Sequence, residues 1–493
     1  MDLLDFVTGC TFDDFLLTPQ LGVLPSRDPG AVDLSTRFSE NILIKRPIVS
    51  ANMDTVTRAA MAIVLAEEGG IGVIDRGYRP GDIEPQITEI ITVKRKQHAI
   101  IRDPHTIFAD QRIEDALGKM DETHVGTLVV TDSEGYLMGL LTQRDTRFVS
   151  NESQISAHMT PKARLIVAQG SVSLGEAEKV MRERKIKKLP LVDSDGKLSG
   201  LITAKDLLHH KRHPFATRDR EGRLRVASAV GATGDYLERA RELVRAGADA
   251  LVIDIAHGHS RVMEQAIEGL RKAVGDVELL AGNVATTEAV QFLLDRGVNG
   301  IKVGIGPGGG CTTRLTTNFG VPQVEALVRC RVAANGRVPL IADGGIKRDG
   351  NITQALIFGG DSVMLGSAFA GTEETPGEIV LRSVLEPESQ KLVKVPFKVF
   401  RGMASITAVK DRLDLEEAAP LELAEIGAEG LEVSVPARGS ARTVMQNMLK
   451  HLCSAISYGG AKSLQELRKN FWANPEQYLI KLSASSKTES FQR

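Results

Sequence analysis

The sequence predicts an α/β fold, a (β/α)8 TIM barrel with a smaller domain inserted into it. Short apolar runs recur in its C-terminal half, amphipathic helical stretches separate them, and each run stops on Gly or Asp. The runs occupy residues 251–254, 279–282, 301–304, 340–343 and 363–366. Strands that end on polar or Gly residues favour a barrel, because barrel sites lie on the loops that follow the strands. A doubly wound open sheet is the alternative, but no Gly-x-Gly-x-x-Gly motif opens a first βαβ unit.

The helical stretches and two earlier strands complete the barrel. Residues 236–245 and 287–295 are amphipathic, and Gly247 and Gly297 follow them in similar phrases, so we expect both glycines to cap these helices. Further strand-then-polar units occur at 47–54 and 70–74. The barrel therefore begins near the N-terminus and is interrupted after its second βα unit, since domain insertion into a loop is tolerated.

A short repeat marks the inserted domain. The phrase at 139–145 returns at 200–206, and each copy ends a unit of helix, strand, turn and strand. The helices are expected at 113–120 and 174–184, and the first strands at 127–130 and 189–192. This tandem pair resembles a Bateman module of two cystathionine-β-synthase (CBS) repeats over residues 96–212. The resemblance implies that four residues face an adenine nucleotide, namely Thr142, Asp145, Thr203 and Asp206. A purely structural spacer is the alternative.

Composition limits the classes of function. The chain has 493 residues, 42% of them hydrophobic, and a net charge of −2, so we expect neither nucleic acid nor a membrane as partner. Four unevenly spaced cysteines form no disulfide or metal framework, and no apolar run is long enough to span a membrane, so we expect a cytoplasmic protein. The expected domains are residues 1–95 and 213–482 for the barrel, 96–212 for the insert and 483–493 for a flexible tail.

A glycine-rich loop at 304–314 carries the most reactive candidate residue. The strand-like run at 300–303 leads into glycines that end on Cys311, followed by Thr313 and Arg314. Glycines permit unusual turns and close ligand approach, and a nearby guanidinium favours thiolate. We therefore predict Cys311 as a nucleophile, whereas Cys10, Cys330 and Cys453 have the apolar or helical neighbours of buried structural cysteines.

Two later strand ends have the composition of a phosphate site. Asp343, Gly344 and Gly345 follow one strand, and Gly366 and Ser367 follow the next. Backbone N–H groups and a hydroxyl can hold an anion there without lysines.

Together these phrases resemble the IMP dehydrogenase / GMP reductase family over nearly the whole chain. The matching phrases are at 53–56, 256–258, 281–284, 304–314, 341–345 and 366–374. The resemblance implies that Cys311 attacks purine C2, that Thr313 and Glu429 handle protons there, and that Met53 lies against the purine. It implies a ribose and phosphate site formed by Asp343, Gly344, Gly345, Gly366 and Ser367. It implies a nicotinamide side formed by Asp254, Asn283, Gly304 and Gly306. It also implies a K⁺ site formed by the carbonyls of Gly306, Gly308 and Cys311. It also implies ATP or GTP at the CBS module and a homotetramer or octamer.

Two departures from the family pattern leave the reaction open. Gly309 stands where dehydrogenases have Ser, and the flap at 404–417 contains Arg412 but has Leu413 where Tyr completes the water-activating pair. One candidate is an IMP dehydrogenase, which oxidises IMP to XMP with NAD⁺ and needs Arg412 as the base. The other is a GMP reductase, which converts GMP to IMP and ammonia with NADPH and needs no such pair. The CBS insert favours the dehydrogenase and the missing Tyr favours the reductase, and a non-catalytic nucleotide sensor is a distant third.

Overall fold

The computed structural model of the chain describes residues 2–96, 101, 104–123, 125–170, 172–385, 391–413 and 427–491. The chain forms two compact units. One comprises residues 1–96, 215–219 and 224–493, and the other comprises 97–214 and 220–223. Across the described ranges, none of the helices combines the length and the apolar character needed to cross a bilayer.

The first unit contains a closed barrel of eight parallel strands, which confirms the predicted barrel and excludes the open sheet. Consecutive strands are neighbours, and the last strand pairs with the first. Their Val, Ile and Leu residues are buried on both faces, as expected for parallel strands covered by helices. Strands β1 to β8 are Ile48–Ser50, Ile71–Ile74, Ala227–Val230, Ala250–Asp254, Glu278–Val284, Gly300–Val303, Leu340–Asp343 and Ser362–Leu365.

A helix follows each barrel strand. Helices α1 to α8 are Ala59–Glu67, Glu84–Arg95, Tyr236–Arg245, Arg261–Val274, Thr287–Leu294, Gln323–Ala334, Asp349–Phe358 and Ala441–Tyr458. The side chains of Ser260 and Thr286 accept hydrogen bonds from backbone amides of the first turns of α4 and α5, which fixes where these helices begin. Gly247 and Gly297 lie just beyond α3 and α5 with φ of 102° and 68°, so both act as the predicted caps.

The second unit lies in the chain between α2 and β3 and consists of two similar halves. In each half, a short strand pairs in parallel with a longer one, which pairs antiparallel with a third. The first half contains strands Thr106–Phe108, Thr127–Thr131, Leu137–Thr142 and Thr160–Pro161 and helices Ile113–Glu122 and Ile155–His158. The second contains strands Ala168–Gln169, Lys188–Val192 and Leu198–Thr203 and helices Leu174–Glu183 and Ala204–Arg212. The sequence repeat is therefore also a repeat of topology.

A further insertion lies between β8 and α8. It contains an antiparallel sheet of strands Val380–Leu385, Leu392–Arg401 and Glu432–Pro436, and the helix Ile406–Leu413. We call this helix the flap helix. Smaller elements of the first unit are helices Leu3–Val7, Thr313–Thr316, Leu464–Ala473 and Pro475–Tyr478, and strand pairs Phe15–Leu17 with Leu479–Lys481 and Thr36–Arg37 with Leu43–Ile44.

The end of the chain differs from the flexible tail expected at 483–493, because Ala484–Phe491 form a helix. Lys487 forms an ion pair with Asp14, and the guanidinium of Arg348 lies 3.8 Å from the centre of the Phe491 ring. These contacts with distant parts of the chain hold the helix, and the Ser-rich sequence gives no local sign of them.

The close approach of β2 to α1 gives a stability prediction. A Cβ at Gly72 would lie 2.5 Å from the Cα of Ala62. We expect Gly72→Ala to reduce the free energy of unfolding by about 1–3 kcal/mol through overpacking, measured as a lower urea midpoint. Gly350→Ala, where a Cβ meets nothing within 4 Å near the start of α7, is the matched control and should cause no loss. An unchanged midpoint for Gly72→Ala would contradict the packing.

Candidate active site

The carboxyl ends of the barrel strands surround a cavity of about 380 Å³. The β8–α8 insertion contributes part of its wall. Every residue predicted for catalysis, substrate, nicotinamide or cation lines this cavity: Met53, Asp254, Asn283, Gly304, Gly306, Gly308, Cys311, Thr313, Asp343, Gly344, Gly345, Gly366, Ser367, Arg412 and Glu429. Residues that are far apart in the chain are thus brought to one site.

A chain of hydrogen bonds links the candidate nucleophile to a carboxylate. The thiol of Cys311, which is half-buried, donates to Thr313 Oγ1 at 3.2 Å. The Thr313 hydroxyl donates in turn to Glu429 Oε2 at 2.6 Å. A proton can therefore pass from the sulfur to the carboxylate through one hydroxyl, which is how an activated nucleophile is arranged.

Backbone contacts fix this chain in place. The Thr312 amide donates to the Glu429 carbonyl at 2.9 Å, and the Leu431 amide donates to the Gly310 carbonyl at 2.9 Å. At Gly304, φ is 144° and a Cβ would lie 2.2 Å from the Asp343 carbonyl oxygen, so only glycine fits there. The cysteine loop is therefore held between β7 and the β8–α8 insertion.

A buried lysine, which the sequence analysis missed, joins the two predicted carboxylates. Lys302 Nζ lies 3.0 Å from Asp254 Oδ1 and 2.9 Å from Asp343 Oδ2. Asn283 Nδ2 also donates to Asp343 Oδ2, at 2.9 Å. Burial alone would raise the pKa of Asp254, but Lys302 and Arg76 outweigh it and lower that pKa to about 2. Burial disfavours the charged form of Lys302, but the two carboxylates favour it more strongly. The pKa of Lys302 is therefore raised. Asp254 and Lys302 are thus both ionised at neutral pH.

Arg412 reaches the cavity from the flap helix. Burial and the positive charge of Arg76 lower the pKa of Arg412, and Asp254 opposes them only in part. A lowered pKa increases the fraction of the neutral guanidine, which is the form that can accept a proton. The side chain of the neighbouring Leu413 lies outside the described residues.

The predicted phosphate end is formed by glycines and one hydroxyl. Gly344 and Gly345 have φ of 83° and 79°, a conformation that other residues avoid. A Cβ on Gly309 would lie 3.9 Å from Ser367 Oγ. The Ser367 hydroxyl therefore lies beside the position where a serine at 309 would begin.

In the second unit, only part of the predicted nucleotide set can be compared with the structure. Asp145 Oδ2 accepts hydrogen bonds from the Thr142 amide at 2.8 Å and hydroxyl at 2.7 Å. Thr203 ends the strand Leu198–Thr203. The side chain of Asp206 lies outside the described residues.

The other three cysteines are buried, as predicted from their neighbours. Burial raises the pKa of Cys330 to about 12 and that of Cys453 to about 11. Thiols of this kind stay protonated and unreactive at neutral pH.

The fold and site define a barrel protein with a thiol, hydroxyl and carboxylate at the carboxyl ends of its strands. A family model described as the IMP dehydrogenase / GMP reductase domain matches residues 9–492, and the chain belongs to this family. Inosine-5′-monophosphate dehydrogenase of Nitrosopumilus maritimus is 40% identical over 95% of both chains. That of Aquifex aeolicus is 41% identical over 94% of this chain and 91% of its own. A cysteine-to-alanine variant of GMP reductase from Trypanosoma brucei, solved in complex with guanosine 5′-monophosphate, superposes with a TM-score of 0.85, 34% identity and coverage of 98% and 97%.

Removal of the buried lysine should leave Asp254 and Asp343 without the cation that they share. We expect Lys302→Met to reduce the free energy of unfolding by about 3–5 kcal/mol at neutral pH. Asp254, with its pKa of about 2, contributes stability above about pH 4 in the wild type and loses it as pH falls toward 2. In the variant Asp254 takes up a proton at higher pH, so the difference from wild type should shrink as pH falls.

Urea unfolding at several pH values measures this difference, and Lys302→Met/Asp254→Asn is the control that should recover part of the loss. A loss that does not depend on pH would contradict the proposed charge balance.

Proposed function

We propose that this chain is an IMP dehydrogenase, which oxidises IMP to XMP with NAD⁺ through a covalent adduct on Cys311. The hydrogen-bonded chain from Cys311 through Thr313 to Glu429 carries this proposal. The family to which the protein belongs and its similarity to two IMP dehydrogenases also support the proposal.

The first step forms the adduct. The Cys311 proton moves through Thr313 to Glu429, and the thiolate adds to C2 of the purine. Addition makes C2 tetrahedral, so its hydrogen can leave as hydride. Met53 would lie against the purine and keep C2 over the sulfur.

The nicotinamide side lies along Asp254 and Asn283, and NAD⁺ supplies the hydride acceptor when it is bound. Among the described residues, the buried Asn283 Oδ1 has no hydrogen-bond partner. The amide group of a nicotinamide is a donor that fits this acceptor. The backbone of Gly304 and Gly306 would border the cofactor, and Lys302 holds the Asp254 carboxylate at this end of the site.

Hydrolysis of the thioimidate completes the cycle. Arg412 in its neutral guanidine form, which its lowered pKa makes more accessible, accepts a proton from water and becomes guanidinium, and the water oxygen adds to C2. The C2–sulfur bond breaks, XMP leaves, and the thiol of Cys311 regains a proton.

The remaining contacts would orient the nucleotide. Asp343 would accept the ribose hydroxyls, and the amides of Gly344, Gly345 and Gly366 with the Ser367 hydroxyl would hold the phosphate. The carbonyls of Gly306, Gly308 and Cys311 are uncharged oxygen donors that suit K⁺. The Gly308 carbonyl accepts a hydrogen bond from the Cys311 amide at 3.1 Å, and a carbonyl oxygen has a second lone pair that could face a cation. Bound K⁺ would order the cysteine loop.

The second unit, residues 96–212 in the sequence assignment, would be a tandem CBS module that binds ATP or GTP. Its repeated topology and the Thr142–Asp145 contact support this assignment. Thr203 and Asp206 would serve in its second half. The working form would be a cytoplasmic homotetramer that can pair into an octamer.

GMP reductase is the second candidate, and two observations favour it. Leu413 replaces the Tyr that assists Arg412 in dehydrogenases, and the chain superposes on GMP reductase from Trypanosoma brucei. A reductase would use Cys311, Thr313 and Glu429 to expel ammonia and would take hydride from NADPH.

The absorbance of reduced nicotinamide separates these reactions. With IMP and NAD⁺ we expect it to rise, and with GMP and NADPH we expect no fall; the reverse pattern would establish the reductase. No change with either pair would favour the nucleotide sensor. Cys311→Ala should lower turnover by more than about a thousandfold because no adduct can form, whereas Cys453→Ala, at a buried thiol, is the matched control and should retain activity.

Arg412→Ala tests the hydrolytic step. We expect the first burst of reduced nicotinamide to persist while steady-state XMP formation falls by about 100-fold, because only water activation is lost. Stopped-flow absorbance and product chromatography measure the two. Equal loss of burst and steady state would exclude Arg412 as the base, and Lys410→Ala on the same helix is the control.

A further inference from the structure

Arg401 contacts two carboxylates on different elements, Asp54 in the loop after β1 and Asp411 on the flap helix. It ends the strand Leu392–Arg401, and its Nε and Nη2 lie 3.0 Å and 2.6 Å from Asp54 Oδ2. Its Nη1 lies 2.7 Å from Asp411 Oδ2 on the flap helix. We propose that Arg401 is a positioning residue that docks the flap helix through Asp411 and so holds Arg412 in the cavity. The role of Arg412 in this proposal rests on the proposed function.

The strand that carries Arg401 is itself fixed. Lys398 Nζ donates to the carbonyls of Thr372 and Thr375 at 3.0 Å and 2.7 Å, in the segment that follows β8. The Arg401 amide donates to Thr55 Oγ1 at 3.2 Å. Backbone pairing with Glu432–Pro436 holds the other edge of the strand. The strand therefore holds the Arg401 guanidinium in place, and the flap helix is the element that docks onto it.

The two ion pairs of Arg401 differ in burial. The Asp54 side chain is 7% exposed and that of Asp411 is 56% exposed. A buried charge that loses its partner is costly, whereas an exposed pair is weak and is screened by salt. Arg401 therefore stays on Asp54, and its contact with Asp411 is the one that can open and close.

The position of Asp411 explains how the contact reaches the chemistry. Asp411 directly precedes Arg412, and successive helical residues point about 100° apart. Anchoring Asp411 on one side therefore fixes the rotation of the helix and directs the next side chain into the cavity. Arg412 lines that cavity together with Val409, one turn earlier. Asp54 follows Met53, so the same guanidinium also touches the loop predicted to lie against the purine.

Hydrogen–deuterium exchange and transient kinetics of Asp411→Asn in the full-length protein test the proposal. We expect faster amide exchange confined to 406–413, an unchanged burst of reduced nicotinamide, and a fall of about two- to fivefold in steady-state XMP formation, the size expected for an exposed ion pair. Asp411→Glu should restore both values. Lys410→Gln changes the charge of the neighbouring residue and should alter neither.

Equal loss of burst and steady state would indicate general destabilisation and would overturn the positioning role. Unchanged exchange in Asp411→Asn, or the same change in Lys410→Gln, would overturn the docking contact. Exchange is measured without turnover, so it remains decisive if the wild type proves to reduce GMP. In that case the proposed function fails while docking of the flap helix is still tested.

Discussion

The geometry of the site depends on the contacts that the ammonium group of Lys302 makes with two carboxylates. It bridges Asp254 at the end of β4 and Asp343 at the end of β7, while Asn283 on β5 donates to Asp343. Burial of these charges is costly unless every partner is present, so the network specifies the spacing of its strands. Asp343 is the predicted ribose ligand and Asp254 lies on the predicted nicotinamide side. The distance between the two halves of the site is thus set inside the barrel rather than by its loops.

The reactive groups come from two regions that the barrel alone does not bring together. Thr313 follows β6, whereas Glu429 belongs to the insertion after β8, 116 residues later in the chain. Backbone hydrogen bonds on both sides of Cys311 attach this insertion to the cysteine loop. In the proposed mechanism the barrel would therefore supply Cys311 and Thr313, and the insertion would supply the carboxylate of Glu429. Proton transfer along this chain would then depend on contact between the insertion and the cysteine loop.

Sequence patterns predicted the strand ends well, because Gly and Asp at the ends of apolar runs are local signals. Lys302 does not follow this rule, because it lies inside the run 300–303, whose pattern predicts a strand and not a strand end. A lysine in a buried strand is itself a signal, since its charge requires partners. Arg401 gave no such sign, because its partners Asp54 and Asp411 are 347 and 10 residues away. Glu429 was assigned by family resemblance alone, and the helix Ala484–Phe491 depends on contacts that no local pattern records.

Whether the proposed sulfur adduct is hydrolysed or instead forms by loss of ammonia depends on the base or acid that lies next to it. Water attack needs a proton acceptor, whereas loss of ammonia from C2 needs a proton donor. Thr313 with Glu429 could either accept or donate a proton. Arg412 would serve only the first of these steps. Its burial and the neighbouring charge of Arg76 lower its pKa, and this shift would help a hydrolytic step by making the neutral guanidine more accessible. Leu413 follows Arg412 where dehydrogenases have Tyr, so in the proposed mechanism burial and the charge of Arg76 would be what makes the neutral guanidine accessible.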